Sequence, residues 1–232
     1  MADSDGAGRR AAAARLVPLL DLTSLNDDDT PDTIAALCNR AVTPVGSVAA
    51  VCVYPRFVAQ AKRLLAGGGV RIATVANFPA ASASPGAVAE EIASAVAAGA
   101  DEIDVVIHFF KSHPVPESVL ESAREASEGK ILKVILETSL LTRDEKMMGC
   151  TLSKAAGADY VKTSTGFAGG GATVDDVRLM RETVGPEIGV KASGGIRTRE
   201  DAQAMVAAGA TRLGASAGVK IVRGQVSESK GY

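Results

Sequence analysis

The chain has 232 residues, of which 47% are hydrophobic and 22% charged, and carries a formal net charge of −2. That near-neutral balance gives no electrostatic case for nucleic acid or an anionic membrane as a partner, so any anion site must be local. No apolar run approaches the ~20 residues of a membrane span, and Cys38, Cys52, Cys150 and the two histidines, His108 and His113, lack zinc-ligand spacing.

Residues 1–8 read as a disordered tip leading into a short helix, because Arg15 and Asp21 break up a start that only faintly resembles a signal sequence. Reduced thiols in a cytoplasmic protein are the expected state of the cysteines. From there one rhythm repeats. Short apolar runs of β type occur at 16–22, 47–53, 71–77, 102–107, 131–137, 160–164, 189–193 and 212–216. The stretches between them have helical spacing and caps: Thr30 then Pro31 at one start, Gly99 and Gly209 at two ends. Strands alternating with helices predict βαβ units and a parallel sheet. Eight such units fill residues 16–223 and leave only a flexible tail over 224–232. The economical architecture is α/β, a single-domain (βα)8 TIM barrel, with an open doubly wound sheet as the alternative.

Barrel enzymes place their chemistry at the C-terminal ends of the strands. Polar residues late in apolar strands are therefore the candidates: Asp21, Thr23, Cys52, Asp104, Lys133, Glu137, Lys162, Ser164, Lys191 and Ser193. Residues i and i+2 share a face, so Asp104 points inward where Ile103, Val105 and Ile107 point out. Each candidate has a plainer reading. A lysine at a strand end is usually solvated, Asp104 serves as a buried acid neutralised by Lys133, and Cys52 is a small core residue. Two inward lysines on consecutive strands, Lys162 and Lys191, exceed that reading.

A free lysine amine has a pKa of ~10.4, so about one in two thousand is nucleophilic at neutral pH. Two ammonium groups ~4 Å apart at an effective dielectric near 20 repel by ~4 kcal/mol, enough with burial to bring one into the neutral range. One neutral amine condenses with a carbonyl, and the iminium is then an electron sink for making or breaking a neighbouring carbon–carbon bond. Asp104 is the best-placed proton shuttle. The loops "SGGIR" (193–197) and "GASAG" (214–218), joined by Gly166, add backbone N–H groups suited to a phosphate, and Arg197 a cation.

The motifs "LLDLTSLNDDDT", "AAVCVYPRF", "RIATVANFP", "GADEIDVVI", "LKVILET", "VKTSTGF", "VKASGGIRT" and "RLGAS" together resemble the deoxyribose-phosphate aldolase family over residues 16–223. The resemblance implies a metal-free class I aldolase without cofactor. Its reaction is the reversible cleavage of 2-deoxyribose 5-phosphate to acetaldehyde and glyceraldehyde 3-phosphate. It implies Lys162 as the Schiff-base nucleophile, Lys191 as the group depressing its pKa and Asp104 as the proton relay. It further implies Asp21, Thr23, Cys52, Lys133 and Thr165 around the substrate. Gly166, Gly194, Gly195, Arg197, Gly214 and Ser216 would hold phosphate, and a homodimer is the family's suggestion. Two rival readings stay open: another Schiff-base aldolase of different sugar-phosphate specificity, and a noncatalytic sugar-phosphate-binding barrel. The sequence departs from the family at Ala217, where a second serine is usual, and at "IHFFKSHPVP" (107–116), where His108, Phe109 and Phe110 stand at the rim. The terminal Tyr232 resembles a tyrosine that, in one branch, folds back to assist proton transfer.

Overall fold

A computed structural model of the chain describes residues 11–108 and 117–222. Eight strands form a closed parallel barrel: β1 (Leu20–Ser24), β2 (Ala50–Val53), β3 (Arg71–Ala76), β4 (Glu102–Val106), β5 (Ile131–Ile135), β6 (Tyr160–Lys162), β7 (Gly189–Ser193) and β8 (Arg212–Ala215). Each strand pairs with its sequence neighbours, and β1 closes the ring on β8 through Leu20–Leu213 and Asp21–Gly214. The helices that follow the strands are α1 (Pro31–Asn39), α2 (Val58–Leu64), α3 (Pro85–Ala97), α4 (Glu117–Ala126), α5 (Arg143–Ala155), α6 (Val174–Val184), α7 (Arg199–Ala207) and α8 (Gly218–Val222). The open-sheet alternative is thereby removed.

The capping signals act where the sequence places them. Thr30 accepts from the Thr33 N–H with Pro31 in the first turn, and Ser84 accepts from the Ala87 N–H ahead of Pro85. Gly99 and Gly209, just past the ends of α3 and α7, have φ of 105° and 113°, which only glycine adopts without strain.

Several strand ends differ from expectation by one to four residues, and three of these differences have a local cause. The predicted first strand begins four residues early: residues 11–16 are helical and Val17–Leu19 form a 3₁₀ turn. Pro18 causes this, since it lacks a ladder donor but suits a first helical turn. A small antiparallel ribbon, Val42–Thr43 with Gly46–Ser47, occupies the start of the predicted second strand. β6 stops at Lys162 because the Thr163 hydroxyl donates to the Ser193 carbonyl and accepts from the Ser193 N–H, replacing the ladder there.

The alternation of side chains divides the interior. Val51, Ile72, Ile103, Val134, Val161 and Val190 face out into one continuous core beneath the helices. Inside the barrel, Ala50, Cys52, Ala73 and Val75 with Leu25 make a small apolar cluster on the β2–β3 side. A cluster of buried charged side chains occupies much of the rest of the barrel interior.

Candidate active site

Strand register brings the charged groups together. Lys162 pairs directly with Lys191, Lys191 with Arg212, and Asp104 with Lys133. Asp104 is the hub. Its Oδ1 accepts from Lys133 Nζ at 2.7 Å, and its Oδ2 accepts from both Lys162 Nζ at 2.9 Å and Lys191 Nζ at 2.7 Å. Asp21 accepts from Lys191 through Oδ2 and from Arg212 Nη1 at 2.7 Å through Oδ1, with Lys133 3.7 Å away. Glu102 closes the base of the network, 2.5 Å from Lys133 Nζ and 3.0 Å from Arg212 Nη1.

Among the described residues this network holds three carboxylates (Asp21, Glu102, Asp104) and four bases (Lys133, Lys162, Lys191, Arg212), all buried. Arg71 touches Glu102 from outside, but its side chain is 53% exposed and its charge is screened. Lys162 shares the Asp104 carboxylate with two other lysines, Lys133 and Lys191, so three cationic groups crowd one buried anion.

Burial is the largest influence on Lys162 and moves its pKa down; Asp104 opposes it, and Lys191 adds to it. This corrects the ranking expected from the sequence, where repulsion by Lys191 led and burial assisted. For Lys133 the order of outcome reverses: burial acts to lower its pKa, but Asp104 and Asp21 outweigh it and hold the ammonium. Burial alone would raise the Asp21 and Asp104 carboxyls, yet the surrounding cations keep both well below the usual carboxylate range. Cys52 lies inside the barrel; burial and then Asp104 push its thiol up to about 11, so it stays protonated.

The other sequence candidates fall into distinct places. Thr23 is buried and its hydroxyl donates to the Asp21 carbonyl. The Thr165 hydroxyl donates to Glu137 Oε2 at 2.5 Å and accepts from the Phe167 N–H, so it holds the loop after β6. Gly166, Gly194 and Gly195 have φ of 90°, 84° and 76°. The loops after β6 and β7 are cinched together, with the Ala172 N–H donating to the carbonyls of Ser193 and Gly194. A Cβ on Gly171 would meet the Gly194 carbonyl carbon and oxygen at 2.6 Å, so only glycine fits that crossing. Gly214 lies within β8, opposite Ser193 and Asp21, instead of in the loop that follows, and Ser216 sits in the turn before α8. Arg197 is exposed and its N–H is bound by Asp201. Tyr232, Phe109 and Phe110 lie outside the described residues.

Two features escaped the sequence reading. Glu102 and Arg212, first residues of their strands, complete the network, and their parity with Asp104 and Gly214 was the available signal. At the mouth, Phe78 after β3 meets Phe167 after β6 edge-to-face at 5.3 Å, and Tyr54 meets Phe78 at 6.3 Å. Tyr54 and Phe78 pack against the small apolar cluster on the β2–β3 side.

Comparison with known proteins agrees with this geometry. Residues 15–227 match the model of the DeoC/LacD family aldolases. The chain is 48% identical over 219 residues to deoxyribose-phosphate aldolase 1 of Bacillus licheniformis, covering 92% of this chain and 97% of the relative. It is 49% identical over 210 residues to deoxyribose-phosphate aldolase of Streptococcus uberis, covering 89% and 94%. Among solved structures, the tetrameric deoxyribose phosphate aldolase from Aeropyrum pernix superposes with a TM-score of 0.82 at 31% identity, covering 94% of each chain. A chain with this barrel, this buried lysine–carboxylate network and these relatives belongs to the DeoC/LacD family of aldolases.

Proposed function

We propose that this barrel catalyses the reversible cleavage of 2-deoxyribose 5-phosphate into acetaldehyde and glyceraldehyde 3-phosphate through an imine on Lys162. The observation that carries the reading is the fully enclosed Lys162 amine, which shares one Asp104 oxygen with Lys191 and whose pKa burial lowers. The neutral Nζ adds its lone pair to the C1 carbonyl, and the carbinolamine loses water to give an iminium. Removal of the C3 hydroxyl proton lets the C2–C3 bonding electrons flow into the iminium, so glyceraldehyde 3-phosphate leaves and an enamine remains. Protonation of C2 and hydrolysis of the iminium release acetaldehyde and restore the amine. Asp104, within hydrogen-bond reach of both amines, is the carboxylate in position to relay these protons, directly or through one water. Asp21 and Lys133 act as supports in this reading, holding Lys191 and Asp104 in place.

The positive-φ glycines Gly166, Gly194 and Gly195 are proposed to turn their N–H groups to the phosphate. Gly171→Ala forces the Gly194 backbone aside. It is expected to raise KM for the phosphorylated substrate about tenfold, the worth of one charge-assisted hydrogen bond, with imine formation from acetaldehyde retained. An unchanged KM would remove the loop contact from the account. We also read the protein as a cytoplasmic homodimer; its buried free cysteines favour a reducing compartment, and the tetrameric A. pernix relative favours an oligomer but not a dimer in particular. Among the described residues no helix is long and apolar enough to cross a membrane.

The direct test is to incubate the protein with acetaldehyde, reduce with borohydride and map the ethylated residue by mass spectrometry. Modification at Lys162 is expected. No adduct, or an adduct on another lysine, overturns the assignment.

A further inference from the structure

The Lys162 amine is enclosed. Lys162 and Lys191 are each 1% exposed and Asp104 is fully buried, so a carbonyl compound reaches the amine only when part of the mouth opens. The loops after β5, β6 and β7 are tied to one another. The Thr165 N–H donates to Glu137 Oε2 at 3.0 Å, and the Ala172 N–H donates to the carbonyls of Ser193 and Gly194. Gly170 lies so close to Ser139 that a Cβ on it would stand 2.2 Å from the Ser139 Cβ.

The loop after β3 is fastened separately. The Asn77 N–H donates to Glu91 Oε2 at 2.7 Å, its side-chain amide donates to the Val106 carbonyl at 2.9 Å, and its side-chain oxygen accepts from the Ala83 N–H at 2.9 Å. These bonds fix the residue before Phe78 to α3 and to the end of β4. Phe78 itself packs on the apolar cluster inside β2 and β3.

Between these two groups of loops the link is a pair of rings. Phe78 meets Phe167 edge-to-face, with centroids 5.3 Å apart and planes at 88°. β3 and β6 are three steps apart in a ring of eight strands, so the contact spans the barrel's opening on the side of β4 and β5, the strands that carry Asp104 and Lys133. Among the described residues no hydrogen bond joins the loop after β3 to the loop after β6. A ring pair of this kind is held by a modest attraction and parts more readily than hydrogen-bonded loops. Phe167 is 47% exposed and stands between Gly166 and Gly169, whose φ values are 90° and 77°. A half-exposed ring on a glycine-flanked turn loses few contacts when it swings.

We propose that Phe78 and Phe167 form an aromatic bar across the mouth, with Phe167 the moving ring, and that this bar sets the bulk of the aldehyde that reaches Lys162. Phe167 is thereby a specificity-determining residue that acts at the entrance and leaves the lysine network untouched. The inference rests on the imine reading above and adds to it the element that controls access to the amine.

The test measures the rate of borohydride-trapped imine at Lys162 with acetaldehyde and with 3,3-dimethylbutanal, which differ by a tert-butyl group, each rate being referred to that of a free lysine amine. The wild-type protein is expected to favour acetaldehyde at least about 100-fold. Phe167→Ala is expected to raise the rate on 3,3-dimethylbutanal about tenfold and to change that on acetaldehyde less than about threefold, with Phe167→Leu falling between. Trapping of acetaldehyde at Lys162 in each variant reports that the fold and the amine are intact. A ratio of the two rates that is unchanged in both variants, or a wild-type protein that traps both aldehydes equally well, overturns the bar alone. Loss of acetaldehyde trapping in both variants makes the ring structural and also overturns the bar. Failure of the wild-type protein to trap acetaldehyde at Lys162 overturns the imine reading and the bar with it.

Discussion

Exchange of Lys162 for methionine is expected to lower kcat/KM for deoxyribose 5-phosphate cleavage by at least about 10⁴-fold, the scale on which loss of a covalent nucleophile acts. It is also expected to raise stability. Methionine replaces, in a similar volume, an enclosed amine whose charged form burial disfavours. Replacing a buried polar amine with an apolar side chain of matching size commonly stabilises by about 1 kcal/mol or more. The pH dependence carries a sign. Lys162 titrates lower in the folded protein than in the unfolded chain. Between its folded value and ~10.4 the unfolded chain binds more protons, so wild-type stability rises with pH across that window. The methionine variant lacks that slope, and urea midpoints across the window measure the difference. A variant less stable than wild type, with the slope retained, would mean that Lys162 is a structural ammonium.

Lys191→Leu acts on the same balance from the other side. It removes the neighbouring charge that, after burial, lowers the Lys162 pKa, so Lys162 keeps its proton to higher pH. Both amines lie within 2.9 Å of the same Asp104 oxygen. At about 5 Å and an effective dielectric near 20 two such charges repel by about 3 kcal/mol, roughly two pH units. The acid limb of kcat/KM should therefore move to higher pH by about two units, with activity at neutral pH down about 100-fold and recovering as pH rises. The contrast with Lys162→Met is qualitative: one variant is rescued by alkali and the other is not. A Lys191→Leu profile reduced equally at every pH would make Lys191 a direct proton donor instead of an electrostatic partner.

Much of this was legible in the sequence, for identifiable reasons. Apolar runs bounded by Thr-Pro starts and glycine ends place eight units on the chain, and the parity of Asp104 against Ile103 and Val105 turns it inward. Pro18 moves the first strand because one missing N–H matters more there than apolarity. Glu102 and Arg212 were missed because a charged residue beside a Gly-Ala turn reads as solvent-facing, and only barrel closure carries β8 round to meet β1 and β4's carboxylate. Asp21 was expected beside substrate, whereas both of its carboxylate oxygens are bound by Lys191 and Arg212. The ranking of causes at Lys162 could not be read from spacing. Repulsion between two lysines can be estimated from a distance, but the weight of burial depends on complete enclosure, which strand pairing alone creates. The Phe78–Phe167 contact is likewise a product of closure, since β3 and β6 are separated by two strands in the ring.

The central claim is that the buried network leaves Lys162 as its neutral base. The most direct measurement is the rate of borohydride-trapped acetaldehyde adduct at Lys162 as a function of pH, in the wild-type protein and in Lys191→Leu. The account gives a wild-type acid limb clearly below the ~10.4 of free lysine, moving to higher pH in the variant. A wild-type limb at the free-lysine value, or one that stays in place when Lys191 is removed, would contradict it.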